Sequence, residues 1–437
     1  MKLYTKITYL SLFILHGLFS VIPIISFFTL LLWFVFFLFA FQEMRQFKFN
    51  NDEILVVLMV YSLPFSFRNL FGGGFDSLPI SWFYLLGGCF FLNAVLTKGK
   101  LHKYHYHILI SSIIIIALSI IPLVITPKQY IGQAFGQFIS ISFNSVIVVG
   151  VILKYHKLKF CNKKINTLKN AFFIGGFYTS LMLFFQWFLH YYFSYDNFGT
   201  INYYMMRQAC AFIFSDVSFL SLYLSLIAFY CFRVFFKKHN FIMLTYMLVI
   251  TLGMLLSSAR TGLFVLFVFI FIYVFFKQKN IINKVFLCLI LLIFSYVFLQ
   301  FFYTIRAESN LLSDSGRFQG YLRALSLLFD RPFIGYGFSR DYISSLMGCS
   351  IPHFSFLQYA IHGGILYSLV LLYNQYCIFK YAVVKKSFYV WQHAMILIGC
   401  CFIPDIFASR FLTMIILLII IVTKRKINLL SLSYTKL

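Results

Sequence analysis

The sequence predicts an all-α polytopic membrane protein of about 12–14 transmembrane helices with one long extracytoplasmic loop, and three observations predict it. Hydrophobic residues fill 62% of the 437 positions and charged residues only 11%, far below the ~25% charged residues of a soluble domain. Apolar stretches of roughly 15–25 residues recur from end to end, each near the ~20 that a helix needs to cross the hydrocarbon core. The 36 basic residues are sorted between alternate loops. No stretch reads as a soluble domain, so residues 1–437 are expected to form a single integral membrane domain.

Spans are placed near 5–20, 22–41, 53–67, 78–96, 106–125, 133–153, 170–191, 211–235, 241–256, 260–276, 281–302, 354–379, 388–402 and 405–423. The third, ninth and thirteenth are short enough to be re-entrant. The first apolar run is too long for the core of a signal peptide and is read as two retained helices broken near Pro23. The nine cysteines include no CxxC pair and no metal-ligand spacing. Most fall inside spans, where Cys is a small apolar residue. Cys349 is the extramembrane exception, and no disulfide framework is expected.

With every span crossing, 26 of the 36 basic residues share the side of the termini with only three acids, Glu43, Asp52 and Glu53. The positive-inside rule makes that side cytoplasmic. The net charge of +25 is therefore mostly a topology signal and does not argue for nucleic acid. The outer side carries Lys128 and nine arginines, Arg68, Arg207, Arg260, Arg306, Arg317, Arg323, Arg331, Arg340 and Arg410. Guanidinium is planar, permanently charged and weakly hydrated, which suits bidentate grip on phosphate or carboxylate. The alternative is that some of these arginines pair with outer acids, among them Asp196, Asp216, Asp341 and Asp405.

Residues 303–352 form the long outer loop, with five arginines and no lysine. Within it, GYLRALSLLFD (320–330) places Leu322, Leu325, Leu328 and Phe329 on one helical stripe, predicting an interfacial helix that roofs the bundle. It stops at Arg331-Pro332, and Gly335-Tyr336-Gly337 supplies a tight turn. Upstream, SSARTG (257–262) puts Arg260 where two helices meet. RQACAFIFSD (207–216) sets Arg207 just outside a span and Asp216 a turn or more inside it, where an acid is costly and either functional or structurally paired. His353 opens the next apolar run, either as an interfacial histidine or as a group that handles a proton.

The order of these pieces resembles the O-antigen polymerase and ligase superfamily. The residues carrying the resemblance are Arg207, Phe212 and Asp216; Arg260 and Gly262; Gly316, Arg317, Tyr321, Ala324 and Leu325; Pro332, Gly335 and Gly337; and His353, Gly363 and Gly364. They cover residues 207–367 only. The family commonly has Asn or Ser directly after the histidine, whereas this chain has Phe354, with Ser355 one place later.

The resemblance implies a GT-C-like, metal-independent membrane glycosyltransferase of the bacterial inner membrane, with both termini cytoplasmic and its active site facing the periplasm. Donor and acceptor are then undecaprenyl-diphosphate-linked glycans, polymerised into O-antigen or a related surface polysaccharide, with a chain-length regulator as a protein partner. Such transfer needs charge neutralisation of the departing diphosphate, a positioned acceptor hydroxyl and a destination for its proton. Arg207, Arg260, Arg317, Arg323 and Arg340 are the expected diphosphate ligands. His353 is the expected proton acceptor, with Asp216 and Asp76 as rival bases. No DxD-type acid pair offers a divalent metal a ligand set, so neither metal nor cofactor is expected. His362, deeper in the same apolar run, is read as packing. Two other activities fit the same architecture: ligation of finished polymer to lipid A-core, and flipping of lipid-linked oligosaccharide.

Overall fold

The computed structural model describes residues 2–18, 25–67, 79–97, 101, 103–204, 207–214, 216–285, 289, 293, 296, 300 and 317–434. Among the sequence readings, the break at Pro23, Arg68, Asp76, Arg306 and Gly316 lie outside these residues, as does most of the span at 281–302. Helices α1 (Leu3–Leu18), α2 (Ile25–Gln46), α3 (Asn51–Ser62), α4 (Trp82–Leu96), α5 (Tyr106–Ile125), α6 (Ile131–Lys154) and α7 (Asn162–Phe193) are followed by strands β1 (Thr200–Tyr204) and β2 (Arg207–Phe212). Then come α8 (Val217–Lys238), α9 (Phe241–Leu256), α10 (Arg260–Lys277), α11 (Arg317–Asp330), α12 (Arg340–Met347), α13 (Ser355–Val384), α14 (Val390–Gly399) and α15 (Arg410–Tyr434).

Among the described residues, seven helices are long and apolar enough to cross a membrane: Phe28–Gln46, Tyr106–Ile125, Lys128–Lys154, Asn162–Phe193, Val217–Lys238, Arg260–Lys277 and Ser355–Val384. Four shorter apolar helices, Trp82–Leu96, Phe241–Leu256, Val390–Gly399 and Arg410–Val422, coincide with predicted spans. The chain is a multi-pass, essentially all-helical membrane protein. It divides into two compact units, one of Met1–His16, Pro23–Gly175 and Phe318–Leu437, the other of Gly17–Ile22 and Gly176–Arg317.

In the first unit α5 packs between α6 and α13, and α4 lies against α6. Polar side chains join α5 to α13: Asn374 donates to the hydroxyls of Ser111 (2.7 Å) and Ser112 (3.1 Å), and Ser119 shares a hydrogen bond with Tyr367 (2.8 Å). Such bonds link helices where lipid tails offer no hydrophobic contrast. Asn50 caps α3 in a reciprocal box with Glu53. Cys161, just before α7, is exposed, so Cys349 is not the sole extramembrane cysteine.

The twelfth predicted span is not one continuous helix. α13 breaks at Gly364, whose φ of 84° and ψ of 168° leave helical space. The Ser368 hydroxyl donates to the Phe356 carbonyl at 2.8 Å although twelve residues separate them. A straight helix would hold them ~18 Å apart, so the half-helix 355–363 folds back beside the half 365–384.

Helix α11 exists where expected. It packs through Gly320, Ala324, Leu327 and Leu328 onto Tyr336, Ile343, Met347, Ile351 and Ile361. Of the predicted stripe, Leu328 packs inward, whereas Leu322 is 52% exposed, Leu325 39% and Phe329 76%, continued by Phe318 at 62%. Small residues let the helix sit close to the bundle. The large ones form an outward apolar strip beside the polar strip Gln319, Arg323, Ser326 and Asp330, the arrangement of an interfacial helix.

The second unit holds the far half of α7, the β1–β2 hairpin, α8, α9 and α10. The hairpin was not foreseen in an all-α reading. Gln186 of α7 clamps it, donating to the Thr200 carbonyl (3.0 Å) and accepting from the Phe212 N–H (3.0 Å). At Gly262 of the SSARTG turn an added Cβ would strike the backbone of Ser221, so this glycine is what lets α10 meet α8.

Candidate functional site

The break in α13 organises the richest polar centre among the described residues. Breaking a helix frees backbone groups, and inside a membrane protein these need partners. The strap 332–337 supplies them: the N–H groups of Tyr336 and Gly337 donate to the carbonyls of Ile361 (2.8 Å) and His362 (2.9 Å), and the N–H of Ile365 donates to the Pro332 carbonyl (2.7 Å). The glycines make this approach feasible. Gly335, Gly337 and Gly364 all have positive φ, and a Cβ on Gly335 would lie 2.5 Å from the Ile361 oxygen. Gly364 admits the backbone of Phe333 from the chain's own outer loop.

Behind the strap lies a network of buried side chains. His362 donates from Nδ1 to the Gly337 carbonyl (2.5 Å), while Gln358 donates from Nε2 to His362 Nε2 (3.1 Å). A carbonyl on one ring nitrogen and an amide N–H on the other define the neutral Nδ1–H tautomer. Gln358 also donates to Asp405 Oδ1 (2.6 Å), and its oxygen accepts the Asp405 N–H (2.8 Å). Gln137 of α6 donates to the same Oδ1 (2.7 Å) and to the Tyr359 hydroxyl (2.8 Å). Asp405 Oδ2 pairs with Arg340 at the start of α12. The carboxylate is 4% exposed and the arginine side chain 32%. The buried carboxylate thus fixes the position of a guanidinium that is itself a third exposed.

The predicted residues fall into two groups. Arg340 and His353 belong to this first unit, and His353 is half-buried in the turn before α13, two residues ahead of the helix start. Ser355, which follows it, is anchored by bonds from its N–H to Cys400 (2.8 Å) and from its hydroxyl to Ile403 (2.6 Å). Arg323 also lies here, but it donates to the Met347 carbonyl (2.6 Å) and so closes the end of α12. Arg331 stacks on Tyr336, and Arg410 on Tyr84 while donating to the Pro79 carbonyl.

Arg207, Asp216, Arg260 and Arg317 belong to the second unit. Arg207 opens β2, Arg260 opens α10 and Arg317 opens α11. The hairpin, the α8 start and the SSARTG turn converge: Ala259 packs with Ala209, Ala211 and Val217, and Ser258 donates to the Gln208 carbonyl (3.1 Å). Asp216 is not inside the helix. It is the N-cap of α8, accepting from the N–H groups of Ser218 (2.6 Å) and Phe219 (3.2 Å). Short acidic side chains compete for free N–H groups at helix starts, which places the helix boundary at Asp216. Close by, His190 of α7 bonds through Nδ1 to Asp196 and through Nε2 to the Gln208 side chain (2.5 Å).

Sequence reasoning missed Gln137, Gln358, Tyr359 and His362. The signal was present, since Gln358 and His362 stand one helical turn apart inside an apolar run, as do Gln133 and Gln137. His362 was read as packing, yet both ring nitrogens are hydrogen-bonded. Among the described residues no group of three or more His, Cys, Asp or Glu is placed to hold a metal ion. A search against protein-family models finds no match, and no curated protein matches the chain in sequence.

The break itself is testable. Gly364→Ala adds a Cβ onto the Phe333 carbonyl at a backbone conformation that L side chains rarely adopt, a strain of ~1–3 kcal/mol before the clash is counted. The purified variant should unfold at lower temperature than wild type and than Gly88→Ala, where the nearest side-chain atom is 3.6 Å from the added Cβ.

Proposed function

We propose that the protein is a polymerase of undecaprenyl-diphosphate-linked oligosaccharide units, acting without metal on the outer face of the bacterial inner membrane. The observation that carries the reading is Arg340, a third-exposed arginine on the arginine-rich, lysine-free outer loop, held in place by a buried carboxylate. A guanidinium oriented before substrate arrives costs no reorganisation when charge builds on a departing diphosphate. In this reading Arg340 neutralises the diphosphate, and Arg323 contributes through N–H groups left after its bond to Met347; Arg207, Arg260 and Arg317 are diphosphate ligands on the sequence resemblance alone. His353 takes the acceptor proton, and the outward apolar strip of α11 faces lipid near the substrate tail. Asp216, which caps α8 through Oδ1, is the rival base.

The arginine roles are tested by single Arg→Lys variants at 207, 260, 317 and 340. Lysine keeps the charge and loses the fork, so each should shorten or abolish polymer at normal protein level. Full-length polymer from all four would reduce them to interface anchors. Orientation is tested through cysteines: Cys161 should be protected from an impermeant thiol reagent in intact cells, and a cysteine introduced at Ser345 should label. Labelling of Cys161 would place the arginine-rich loop on the wrong side.

A further inference from the structure

A second polar site lies in the first unit, where the ends of α2, α3, α4 and α6 border an open surface pocket of about 440 Å³ lined by Arg45, Asn50, Asn51, Asp52, Asn93, Lys154 and Lys157. Three cations thus face one carboxylate, and that carboxylate is spent. Lys154, 2% exposed, pairs with Asp52 Oδ2 at 2.9 Å, and Asn93 donates to Oδ1 at 2.5 Å. Arg45 and Lys157 remain as surplus charge, both exposed.

The other two acids assigned to this side are also consumed within the protein. Glu43 accepts from the Lys2 N–H (3.0 Å) and the Thr5 hydroxyl (2.8 Å). Glu53, 0% exposed, accepts from Lys164 Nζ (2.5 Å), the Lys159 N–H (2.8 Å) and the Asn50 N–H (3.0 Å). None of the three carboxylates is left to compete for an incoming anion. Arg45 is also pre-oriented, donating to Asn51 Oδ1 at 2.5 Å with its guanidinium 5.1 Å from the centre of the Phe41 ring. Charge placed only to orient the chain needs neither a pocket nor a fixed guanidinium.

The walls beside the pocket identify the ligand's other half. On α2, Leu38 is 53% exposed and Phe41 41%; on α4, Leu92 is 63%, Val95 56% and Leu96 83%. These residues flank Arg45 and Asn93, so the polar pocket opens next to apolar helix surfaces of the kind that face lipid. We propose that the pocket seats the phosphate headgroup of an anionic phospholipid, gripped by Arg45 and Lys157, with its acyl chains along α2 and α4. Basic pockets between membrane helices commonly hold anionic headgroups. The proposal stands whether or not the chain polymerises glycans.

The test is native mass spectrometry of the purified full-length protein with phosphatidylglycerol or phosphatidylcholine. Wild type should retain phosphatidylglycerol at least ~10-fold more than phosphatidylcholine, and the double variant Arg45→Gln/Lys157→Gln should lose that preference. Both side chains are exposed, so the variant should fold, which an unchanged melting temperature in neutral detergent checks. Lys163→Gln/Lys169→Gln, which removes two cations elsewhere on the same side, should keep the preference. Equal retention of both lipids by wild type, or an intact preference in the Arg45/Lys157 variant, overturns the proposal. A second arm adds inorganic phosphate at millimolar concentration. Undiminished phosphatidylglycerol retention supports a lipid, and its displacement by phosphate overturns the lipid assignment in favour of a soluble phosphate compound.

Discussion

Asp405→Ala is expected to lower the stability of the purified protein by about 3–5 kcal/mol, read as a loss of melting temperature or of denaturant midpoint. The upper figure is the cost of breaking a fully buried ion pair; here the carboxylate is buried and Arg340 is a third exposed, so the charge left behind costs less. Here the loss spreads further, because Gln137 and Gln358 both donate to Oδ1 of the same carboxylate. Asp405→Asn keeps the shape but removes the charge that fixes Arg340 and turns an accepting oxygen into a donor, so it should fall between alanine and wild type. Replacing both partners, Arg340→Met with Asp405→Leu, should recover part of the stability while leaving polymer formation absent. An Asp405→Ala protein as stable as wild type would mean that the network does not hold the outer loop to the bundle.

Why this centre was only half legible in the sequence is a matter of physics. Single residues with strong local rules were readable: the glycines at 335, 337 and 364 signalled backbone freedom, and Asp405 and Arg340 were both assigned to the outer side. Their partnership was not, because 65 positions separate them in the chain, and only a folded-back half-helix brings the loop before α15 under α12. The break at Gly364 was hidden by composition. An apolar run reads as a continuous span whether or not it folds on itself, and the bonds that repair the break come from the strap 332–337.

Two further differences have local causes. The strip on α11 follows apolar periodicity, but periodicity does not say which side meets the bundle, since in a membrane the large apolar residues can face outward and Gly320 and Ala324 make the close contact. The hairpin at 200–212 escaped because its residues are too few and too mixed to separate from the start of the next span, and Gln186 of α7, far from it in sequence, fixes where it docks. Asp216 followed from the same error: once residues 207–212 form a strand, the helix begins later and the acid becomes its cap.

His353→Ala should reduce chain growth by about 10²- to 10⁴-fold, the usual worth of general-base assistance, while the protein remains inserted at normal level. His353→Gln separates the roles, because glutamine can donate or accept a hydrogen bond but cannot carry a proton at neutral pH. Activity in Gln but not in Ala would make the side chain a positioning group. His362→Ala no longer serves as a mild control. It takes from the Gly337 carbonyl its donor from His362, a loss of ~1–3 kcal/mol, and from the Gln358 amide one of its two acceptors, so its effect should appear in melting temperature as well as in activity. The two histidines are told apart by that split: normal stability with lost polymerisation at position 353, lowered stability at position 362. Normal polymer from His353→Ala would remove this histidine from the proton transfer and make Asp216 the next residue to test.

The most direct measurement of the central claim is the fate of the lipid-linked repeat unit in cells that lack the protein. If the chain polymerises, single units should accumulate on undecaprenyl diphosphate at the outer face of the inner membrane, with no polymer formed. Restoring the wild-type chain should convert them to a ladder, and restoring the Arg340→Lys chain should not. Single units retained on the inner face would contradict the account and make the protein a flippase, and finished polymer left unattached to its acceptor lipid would contradict it in favour of a ligase.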